Sequence, residues 1–476
     1  MRSWGVRSHA PSGRVAGLPG APAGERVYRP RHPERMPLYR LIERGFEGYR
    51  RVYAERFEPE AGPWREPVER AVHAFLDCGR LQGGFARIRC PSCGGEHLLA
   101  FSCRTRNLCP SCQAKRSTLF GAWLAEHVLL DVAHRHVVAT IPKRLRGLLE
   151  RDRALHGLMA RVAWEVLERA LVEATVEPRG HAGGVIALQT FGSYGANFHP
   201  HLHGIVTEGV ITPDGLFHPA VWPDEGLLAE RFRRRFLLSL ERAGRLRRET
   251  RERFLAWRHA GFSLRATQRV PAGATEQAER LARYATRVVV ASERIESVGA
   301  GRVRITTPPD PVTQATVVEL DEIELVHRLC QHIPPPRMHM TRHYGAYANR
   351  LRRSIRRARA ALTEIGLAPP VEEVSPPAEG VSQGVSPRSA TLPGEPLADA
   401  AEALRRRSWA RLLRKVFEVD PLLCPRCGET MVVVAVITDW VIVDRIARHV
   451  RERELASVHE EASARDPPGS ASGPKT

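Results

Sequence analysis

The chain has 476 residues, and its 72 basic residues outnumber the 53 acidic ones to give a net charge of +19. A hydrophobic content of 43% is enough to bury a sizeable core, which excludes a wholly disordered chain. The sequence has no run of about 18 apolar residues, so we expect no transmembrane helix. The basic excess favours a polyanionic partner such as nucleic acid, whereas the preference for arginine over lysine is better explained by a GC-rich genome.

The first part of the chain predicts a leader and helices around a cysteine-rich segment. Residues 1–26 are rich in Gly, Pro and Arg, do not read as a secretory signal, and are expected to be disordered. Apolar side chains at three- and four-residue steps predict helical structure between Tyr28 and Gly79 and another helix at 117–130. The cysteine-rich segment lies between them, at residues 82–116.

The middle of the chain mixes strand-like and helical patterns. Two strand-like runs, Gly184–Phe191 and Phe198–Val206, are joined by a Gly/Ser/Asn turn and predict an antiparallel pair. The other predicted elements are a strand at 136–141, helices at 148–176, 224–258 and 274–296, and a hairpin from 303–305 and 315–320.

The C-terminal part has a different composition. Pro, Ser, Gly, Val and Glu dominate residues 367–399 without apolar periodicity, which is typical of a linker. A basic amphipathic helix is predicted at Ala400–Phe417 and an apolar strand at Met431–Ile437. The tail, 456–476, is expected to be disordered.

The cysteines form two closely spaced pairs with fifteen residues between them, which is the spacing of a four-cysteine zinc site. Each C-x2-C turn presents two thiolates to one metal, so two turns complete a tetrahedron. The predicted ligands of this structural zinc site are Cys90, Cys93, Cys109 and Cys112. Cys103 and His97 lie inside the loop, and either could replace one ligand.

The remaining cysteines carry weaker signals. Cys424 and Cys427 form a second C-x2-C pair, which is half of a zinc site. Either the pair is degenerate or a histidine downstream, His449 or His459, completes it. Two cysteines without metal-ligand spacing are predicted to be core residues, Cys78 and Cys330.

Three histidines alternate along the predicted strand at 198–206. Alternate side chains of a strand share one face, at about 7 Å spacing, so His201 and His203 can hold one divalent cation. Gln189, on the preceding strand, is the favoured third ligand because an antiparallel neighbour brings its amide to the same ion. The alternative third ligands are His199, His134 and His136.

One tyrosine has arginines around it on a predicted helix. Tyr284 is flanked by Arg280, Arg283 and Arg287, a setting that suits a phenol attacking a phosphate. From this segment alone, an ordinary half-buried helix tyrosine explains the pattern better. No Walker-type loop and no Gly-x-Ser-x-Gly elbow offers another catalytic centre.

Taken in order, these motifs resemble those of the rolling-circle insertion-sequence transposases of the HUH nuclease superfamily, which carry an N-terminal transposase zinc-binding domain. The resemblance covers the chain from about Tyr28 to Val450. It rests on the segments 85–93, 107–116, 139–146, 198–203, 281–284 and 424–428.

The resemblance implies a mechanism. Mg²⁺ or Mn²⁺ would be held by His201, His203 and Gln189, while Tyr284 attacks DNA that is single-stranded at the cleavage point. The products would be a 5′-phosphotyrosine link and a free 3′-hydroxyl. Some members carry a second tyrosine four residues earlier on the helix; this chain has Arg280 there, which fits a single-tyrosine version.

Basic residues are expected to bind the DNA, including the termini of the element. The residues predicted to do so are Lys115, Arg116, Lys143, Arg144, Arg283 and Arg287. Further phosphate contacts are expected along the arginine-rich runs at 231–248 and 350–357, although each run could be only a solvated helix face. Tyr344 and Tyr347 are interpreted as DNA-contacting or packing residues.

The predicted fold is α+β, in a cytoplasmic, nucleoid-associated bacterial protein without a membrane partner. A helical zinc-binding domain at 27–130 precedes an HUH-type antiparallel sheet nuclease domain at 131–300. A basic part of the transposase core at 301–366 follows, and the small zinc-knuckle-like module occupies 400–455. A plasmid replication initiator or relaxase, and a zinc-containing DNA-binding protein without catalysis, are the competing interpretations.

Overall fold

The computed structural model describes residues 32–175, 177–258, 261–310, 313–364, 422–446 and 448. Predictions for the leader, the linker, the helix at 400–417, the tail, His449 and His459 lie outside these residues. The helices are α1 (Pro37–Arg56), α2 (Glu58–Ala61), α3 (Glu66–Leu76), α4 (Pro110–His127), α5 (Lys143–Arg151), α6 (Leu155–Glu173), α7 (Glu225–Arg242), α8 (Arg248–Ala256), α9 (Thr275–Ala285), α10 (Glu322–Gln331) and α11 (Asn349–Glu364). None of the described helices is long and apolar enough to cross a membrane.

Thirteen strands are described, and all paired neighbours are antiparallel. The strands are β1 (Phe85–Arg89), β2 (Glu96–Ala100), β3 (His134–Thr140), β4 (Gly183–Phe191), β5 (Phe198–Thr207), β6 (Gly209–Ile211), β7 (Phe217–Pro219), β8 (Ser263–Val270), β9 (Ile295–Gly299), β10 (Arg302–Thr306), β11 (Val317–Asp321), β12 (Thr341–Gly345) and β13 (Val432–Ile437). The largest sheet has the order β12-β4-β5-β3-β8.

Helices cover both faces of this central sheet, because its strands carry apolar side chains on both faces. Leu202 and Val206 of β5 pack on one face against α5, α6 and α7. Ile205 of β5 and Val185 of β4 pack on the other face against α4, α9 and α11. The histidines of β5 lie an even number of residues before Ile205. They therefore share its face of the sheet, which α9 covers.

A second core joins the N-terminal helices to a segment far along the chain. Buried residues of α1 and α3 pack against α10 and the sheet of β9, β10 and β11. Arg44 and Arg56 of α1 form ion pairs with Glu322 and Asp321, at 2.7 and 2.6 Å. The helical domain is therefore built from residues well beyond its predicted limit of 130.

Two predicted boundaries in the middle of the chain are wrong. The single helix predicted at 224–258 is two helices, α7 and α8, because Gly244 ends α7 in the left-handed region at φ 67°. The helix predicted at 274–296 ends at Ala285, where a run of β-branched residues with low helix propensity follows.

The division between core and C-terminal regions is also different from the prediction. β12 is an edge strand of the central sheet beside β4, so that sheet extends past the predicted boundary at residue 300. The described part of the predicted 400–455 module, residues 422–446 and 448, joins the N-terminal hairpin, since β13 pairs with β1. Such pairings over several hundred residues leave no local signal in the sequence.

Candidate functional site

The predicted ligand residues lie side by side on β4 and β5. The register pairs Gln189 directly with His201, and Ala187 with His203, so the three side chains share one face. The ring centroids of His201 and His203 are 4.8 Å apart. Gln189 and His203 are almost fully buried, at 2% and 5% exposure.

Hydrogen bonds orient the two imidazoles. His201 donates from Nδ1 to the carbonyl of His199 at 2.8 Å, which leaves the Nε2 lone pair available. His203 Nδ1 lies 3.1 Å from His136 Nε2, and His136 Nδ1 lies 2.6 Å from the Thr267 hydroxyl.

The Thr267 hydroxyl sets the direction of this chain of hydrogen bonds. It donates to the carbonyl of His136 at 3.3 Å, so it accepts from His136 Nδ1–H. His136 Nε2 is then an acceptor, and His203 donates to it from Nδ1–H. His203 consequently keeps its lone pair on Nε2, the arrangement that a metal-binding histidine needs.

Two buried acceptors at this place have no hydrogen-bond partner among the described residues: Gln189 Oε1 and His203 Nε2. Unpaired buried polar atoms are rare and costly, and they point to an absent ligand. Two imidazole nitrogens and one amide oxygen form a donor set that suits a divalent cation. The residues present therefore fit the divalent metal expected from the resemblance.

The histidines around the site are held neutral, which is the protonation state of a metal ligand. Burial, followed by the nearby His201 and His136, lowers the pKa of His203 to about 2. Burial also lowers the pKa of His201, with a further contribution from the guanidinium groups of Arg287 and Arg146.

Tyr284 lies beside these ligands at the end of α9. Its ring meets the His203 ring edge to face at a centroid distance of 5.4 Å, and the side chain remains 47% exposed. Gln189 Nε2 donates to the carbonyl of Tyr284 at 2.8 Å and so ties the helix end to the ligand strand. The Arg287 guanidinium is 5.3 Å from the centroid of the Tyr284 ring.

A glycine lets α9 approach α4 closely. A Cβ at Gly121 of α4 would lie 2.8 Å from Arg283 Cγ and 3.0 Å from the Glu279 carbonyl. Arg283 therefore runs along α4, and Arg280 forms an exposed ion pair with Glu276 at 3.7 Å. Of the arginines near Tyr284 in sequence, Arg287 is the one that lies against its ring.

Other candidates have structural partners. His134 lies 2.6 Å from the hydroxyl of Tyr347, which is fully buried. The Tyr344 ring stacks on Trp164 of α6 at 5.3 Å. Tyr344 and Tyr347 are thus packing residues: Tyr344 lies on the α6 face of the sheet, opposite the ligands, and Tyr347 bonds to His134.

The cysteines form two clusters of four, and the predicted single site is wrong. Cys90 and Cys93 lie at the tip of the β1–β2 hairpin, whereas Cys109 begins α4 and faces the N-terminal helical core. The first cluster consists of Cys78, Cys103, Cys109 and Cys112, and the second of Cys90, Cys93, Cys424 and Cys427. In the first, Cys78 Sγ is 3.7 Å from the Sγ atoms of Cys109 and Cys112, and Cys103 Sγ is 3.6 Å from that of Cys112.

Three individual cysteine predictions are also wrong, and one is confirmed. Cys78 is a member of the first cluster and not a plain core residue. Cys103, predicted as a substitute, is a member, while His97 belongs to neither cluster. Cys424 and Cys427 complete the pair at Cys90 and Cys93. Cys330 is buried outside both clusters, as predicted.

Backbone N–H groups of the knuckles point at the sulfurs of the second cluster. The N–H of Cys93 lowers the pKa of the Cys90 thiol, and that of Arg426 lowers the pKa of Cys424 to about 6. Lowered pKa values favour the thiolate, which is the form that binds zinc.

The predicted DNA-binding residues are distributed over several surfaces. Lys143 and Arg144 are exposed at the start of α5, with Arg144 over the Trp257 ring at 5.5 Å. Arg116 donates to the Arg104 carbonyl at 3.3 Å, and burial lowers the pKa of Lys115.

The arginines of α7 and α8 are largely committed to acids of the protein itself. Their ion pairs are Arg231–Glu173, Arg233–Glu230, Arg234–Glu230, Arg235–Glu165 and Arg248–Glu252, at 2.5 to 3.0 Å. This supports the solvated-face interpretation of that run. On α11, by contrast, Arg350, Arg353 and Arg357 are exposed.

Sequence reasoning missed two groups of residues. Thr267 lies on β8, which has only two buried apolar side chains and therefore no clear strand pattern. Arg146 lies on α5, inside a motif used for the resemblance, but was not assigned to the site. One sequence signal was available for the two zinc clusters: nine cysteines are enough for two sites of four, and eight of them form those sites.

Comparison with known proteins finds similarity to transposases. Residues 183–355 match a family described as putative transposase, and residues 49–141 match the transposase zinc-binding domain. Putative transposase y4qJ of Sinorhizobium fredii is 29% identical over 327 residues, 63% of this chain and 80% of that protein. The transposase for insertion sequence element IS801 of Pseudomonas savastanoi pv. phaseolicola is 28% identical over 313 residues, 61% of this chain and 73% of that protein. No solved structure matches the chain.

The first cysteine cluster lies wholly within the residues that match the zinc-binding domain, and the ligand strands and α9 lie within those that match the transposase. The chain therefore matches the IS91-type transposases in two regions, an N-terminal zinc-binding domain followed by the transposase domain.

Proposed function

We propose that this transposase cleaves and rejoins single-stranded DNA through a 5′-phosphotyrosine intermediate on Tyr284, as in rolling-circle transposition. The observation that carries the proposal is the unpartnered pair of acceptors, Gln189 Oε1 and His203 Nε2, beside the Tyr284 ring. A buried, oriented donor set next to a half-exposed phenol has little structural use.

His201, His203 and Gln189 would hold Mg²⁺ or Mn²⁺. When bound, the cation supplies Lewis-acid stabilisation of the scissile phosphate and a template for its orientation. His201 and His203 contribute neutral imidazoles whose Nδ1–H groups are already bonded, so binding requires no change of tautomer. Gln189 contributes its oxygen while its nitrogen positions the end of α9.

Arg287 and Arg146 flank the histidines and suit a phosphate. Each has a buried Nε without a partner among the described residues, and each raises the positive potential at His201. A guanidinium group presents several N–H donors in one plane and matches phosphate oxygens in pairs. The two arginines would therefore hold the non-bridging oxygens while Tyr284 approaches.

The chemical step exchanges one phosphodiester for another. A bond forms between the Tyr284 phenolic oxygen and phosphorus, and the bond from phosphorus to the 3′ oxygen of the leaving strand breaks. The phenolic proton is lost and the leaving oxygen gains one to become a 3′-hydroxyl. Because the phosphotyrosine ester retains the bond energy, a 3′-hydroxyl can reverse the step and rejoin a strand without ATP.

The test is covalent capture of DNA by the full chain. Single-stranded oligonucleotides from the ends of the element are incubated with Mn²⁺ or Mg²⁺, and protein–DNA adducts are separated under denaturing conditions. We expect an adduct with the parent chain, no adduct with Tyr284→Phe, and unchanged DNA binding by that variant.

Tyr344→Phe is the matched control, because Tyr344 packs against Trp164 and should retain the adduct. An adduct that persists in Tyr284→Phe would refute the role of this tyrosine. DNA binding without any adduct, under either metal, would favour a zinc-containing DNA-binding protein without catalysis.

A further inference from the structure

The two C-x2-C turns of the second cluster have the same backbone structure, although more than three hundred residues separate them. In the first, Cys90 N–H bonds to the Gly95 carbonyl at 2.8 Å and Gly94 N–H to the Cys90 carbonyl at 3.1 Å. In the second, Cys424 N–H bonds to the Glu429 carbonyl at 2.8 Å and Gly428 N–H to the Cys424 carbonyl at 2.9 Å.

Glycine is required at the same place in both turns. Gly94 and Gly428 directly follow the second cysteine and have φ values of 69° and 73°, in the left-handed region. Both turns read Cys-Pro-x-Cys-Gly in sequence. Two copies of one knuckle therefore face each other, as in a zinc ribbon.

The four sulfurs have the spacing that one zinc ion requires. Cys90 Sγ is 3.6 Å from Cys427 Sγ, and Cys93 Sγ is 3.5 Å from Cys424 Sγ. Zinc–sulfur bonds of about 2.3 Å in a tetrahedron place the sulfurs about 3.8 Å apart. All four cysteines are free thiols in the structure.

The apolar contacts around this cluster are few. Its buried core contains Ile88, Leu99 and Met431 besides two of the cysteines. On the outer side of β13, Val432, Val434 and Val436 are about half exposed. A core of this size does not hold a short segment in place by itself, and small modules of this kind usually depend on a metal.

We propose that Cys90, Cys93, Cys424 and Cys427 bind a second zinc ion, which fastens the segment 422–437 to β1 of the N-terminal hairpin. Residues 49–141 account for the zinc-binding domain, and two of these four ligands lie far outside them. The second zinc ion closes a loop of more than three hundred residues, which contains the whole central sheet. This proposal does not depend on the chemistry at Tyr284.

The first test counts thiolate sites in the full chain. Zinc is replaced by Co²⁺, whose thiolate charge-transfer absorption reports sulfur sites and not a site made of histidine and glutamine. We expect two equivalents for the parent chain and one for Cys424→Ala/Cys427→Ala. The control is Cys330→Ala, since Cys330 is buried outside both clusters, and it should retain two.

The second test follows β13 by hydrogen exchange. In Cys424→Ala/Cys427→Ala, the amides of 432–437 should lose protection while those of β4 and β5 keep it. Two equivalents of Co²⁺ in the double variant would overturn the second site. Loss of both equivalents of Co²⁺ in the double variant would show that the second site is not independent of the first cluster. Retained hydrogen-exchange protection of residues 432–437 would overturn the fastening role.

Discussion

His136 offers a sensitive test of how the ligand histidines are oriented. Its Nε2 accepts the Nδ1–H of His203 at 3.1 Å, and the two rings are parallel within 1°. The substitution His136→Phe keeps a ring of similar size and removes both nitrogens. His203 then loses its acceptor, and nothing fixes its proton on Nδ1.

The expected magnitude follows from the role of such outer partners. Losing the group that orients a ligating histidine typically reduces metal affinity by about 10- to 100-fold. This corresponds to about 1.4–2.7 kcal/mol of binding free energy. A buried N–H left without an acceptor costs about 1–3 kcal/mol, which is consistent with that range. Thr267→Val, one step further from the ligand, should have a smaller effect in the same direction.

Mn²⁺ binding can be measured without DNA by the electron paramagnetic resonance signal of free Mn²⁺ in a titration. His134→Phe is the matched control, because His134 lies on the same strand face two residues earlier and bonds to Tyr347. We expect weaker binding in His136→Phe and parental binding in His134→Phe. Equal affinity in His136→Phe and the parent would refute the orienting role.

Three further predictions concern stability, DNA and zinc. Burial lowers the pKa of His156 and of His332 to about 3. The free energy of unfolding therefore has its full value above about pH 6.5 and falls below it by up to about 1.4 kcal/mol per group and per pH unit. Equal urea unfolding curves at pH 7 and pH 5 would contradict this. Arg353→Ala/Arg357→Ala should reduce the salt slope of single-stranded DNA binding by about 1.4, whereas Arg234→Ala, whose guanidinium is paired with Glu230, should leave it unchanged. A chelator should remove zinc first from the second cluster, which has two exposed cysteines. Hydrogen exchange should then show that β13 loses protection before the first cluster changes.

Local patterns predicted the parts of the site that are close in sequence. The turn between Phe191 and Phe198 fixes the register of a hairpin, so Gln189 opposite His201 followed from short-range pairing. Alternation along β5 placed His201 and His203 on one face for the same reason. The position of Tyr284 beside His203 came instead from the family resemblance, because it depends on the packing of α9 on the sheet.

The zinc ligands show where such reasoning fails. The spacing of Cys90, Cys93, Cys109 and Cys112 is that of one zinc site, yet the hairpin and α4 carry the two pairs in different directions. Their true partners are Cys78 and Cys103 for one pair, and a knuckle at Cys424 for the other. Long-range partners of this kind are chosen by tertiary packing, and no local period records them.

Cleavage by the proposed route leaves the DNA covalently attached to Tyr284. This attachment is tested most directly by forming the covalent adduct with Mn²⁺, digesting the protein and the DNA, and mapping the modified peptide by mass. We expect a nucleotide mass on the peptide that contains Tyr284, and on no other. A modified peptide containing Tyr344, or any residue other than Tyr284, would contradict it.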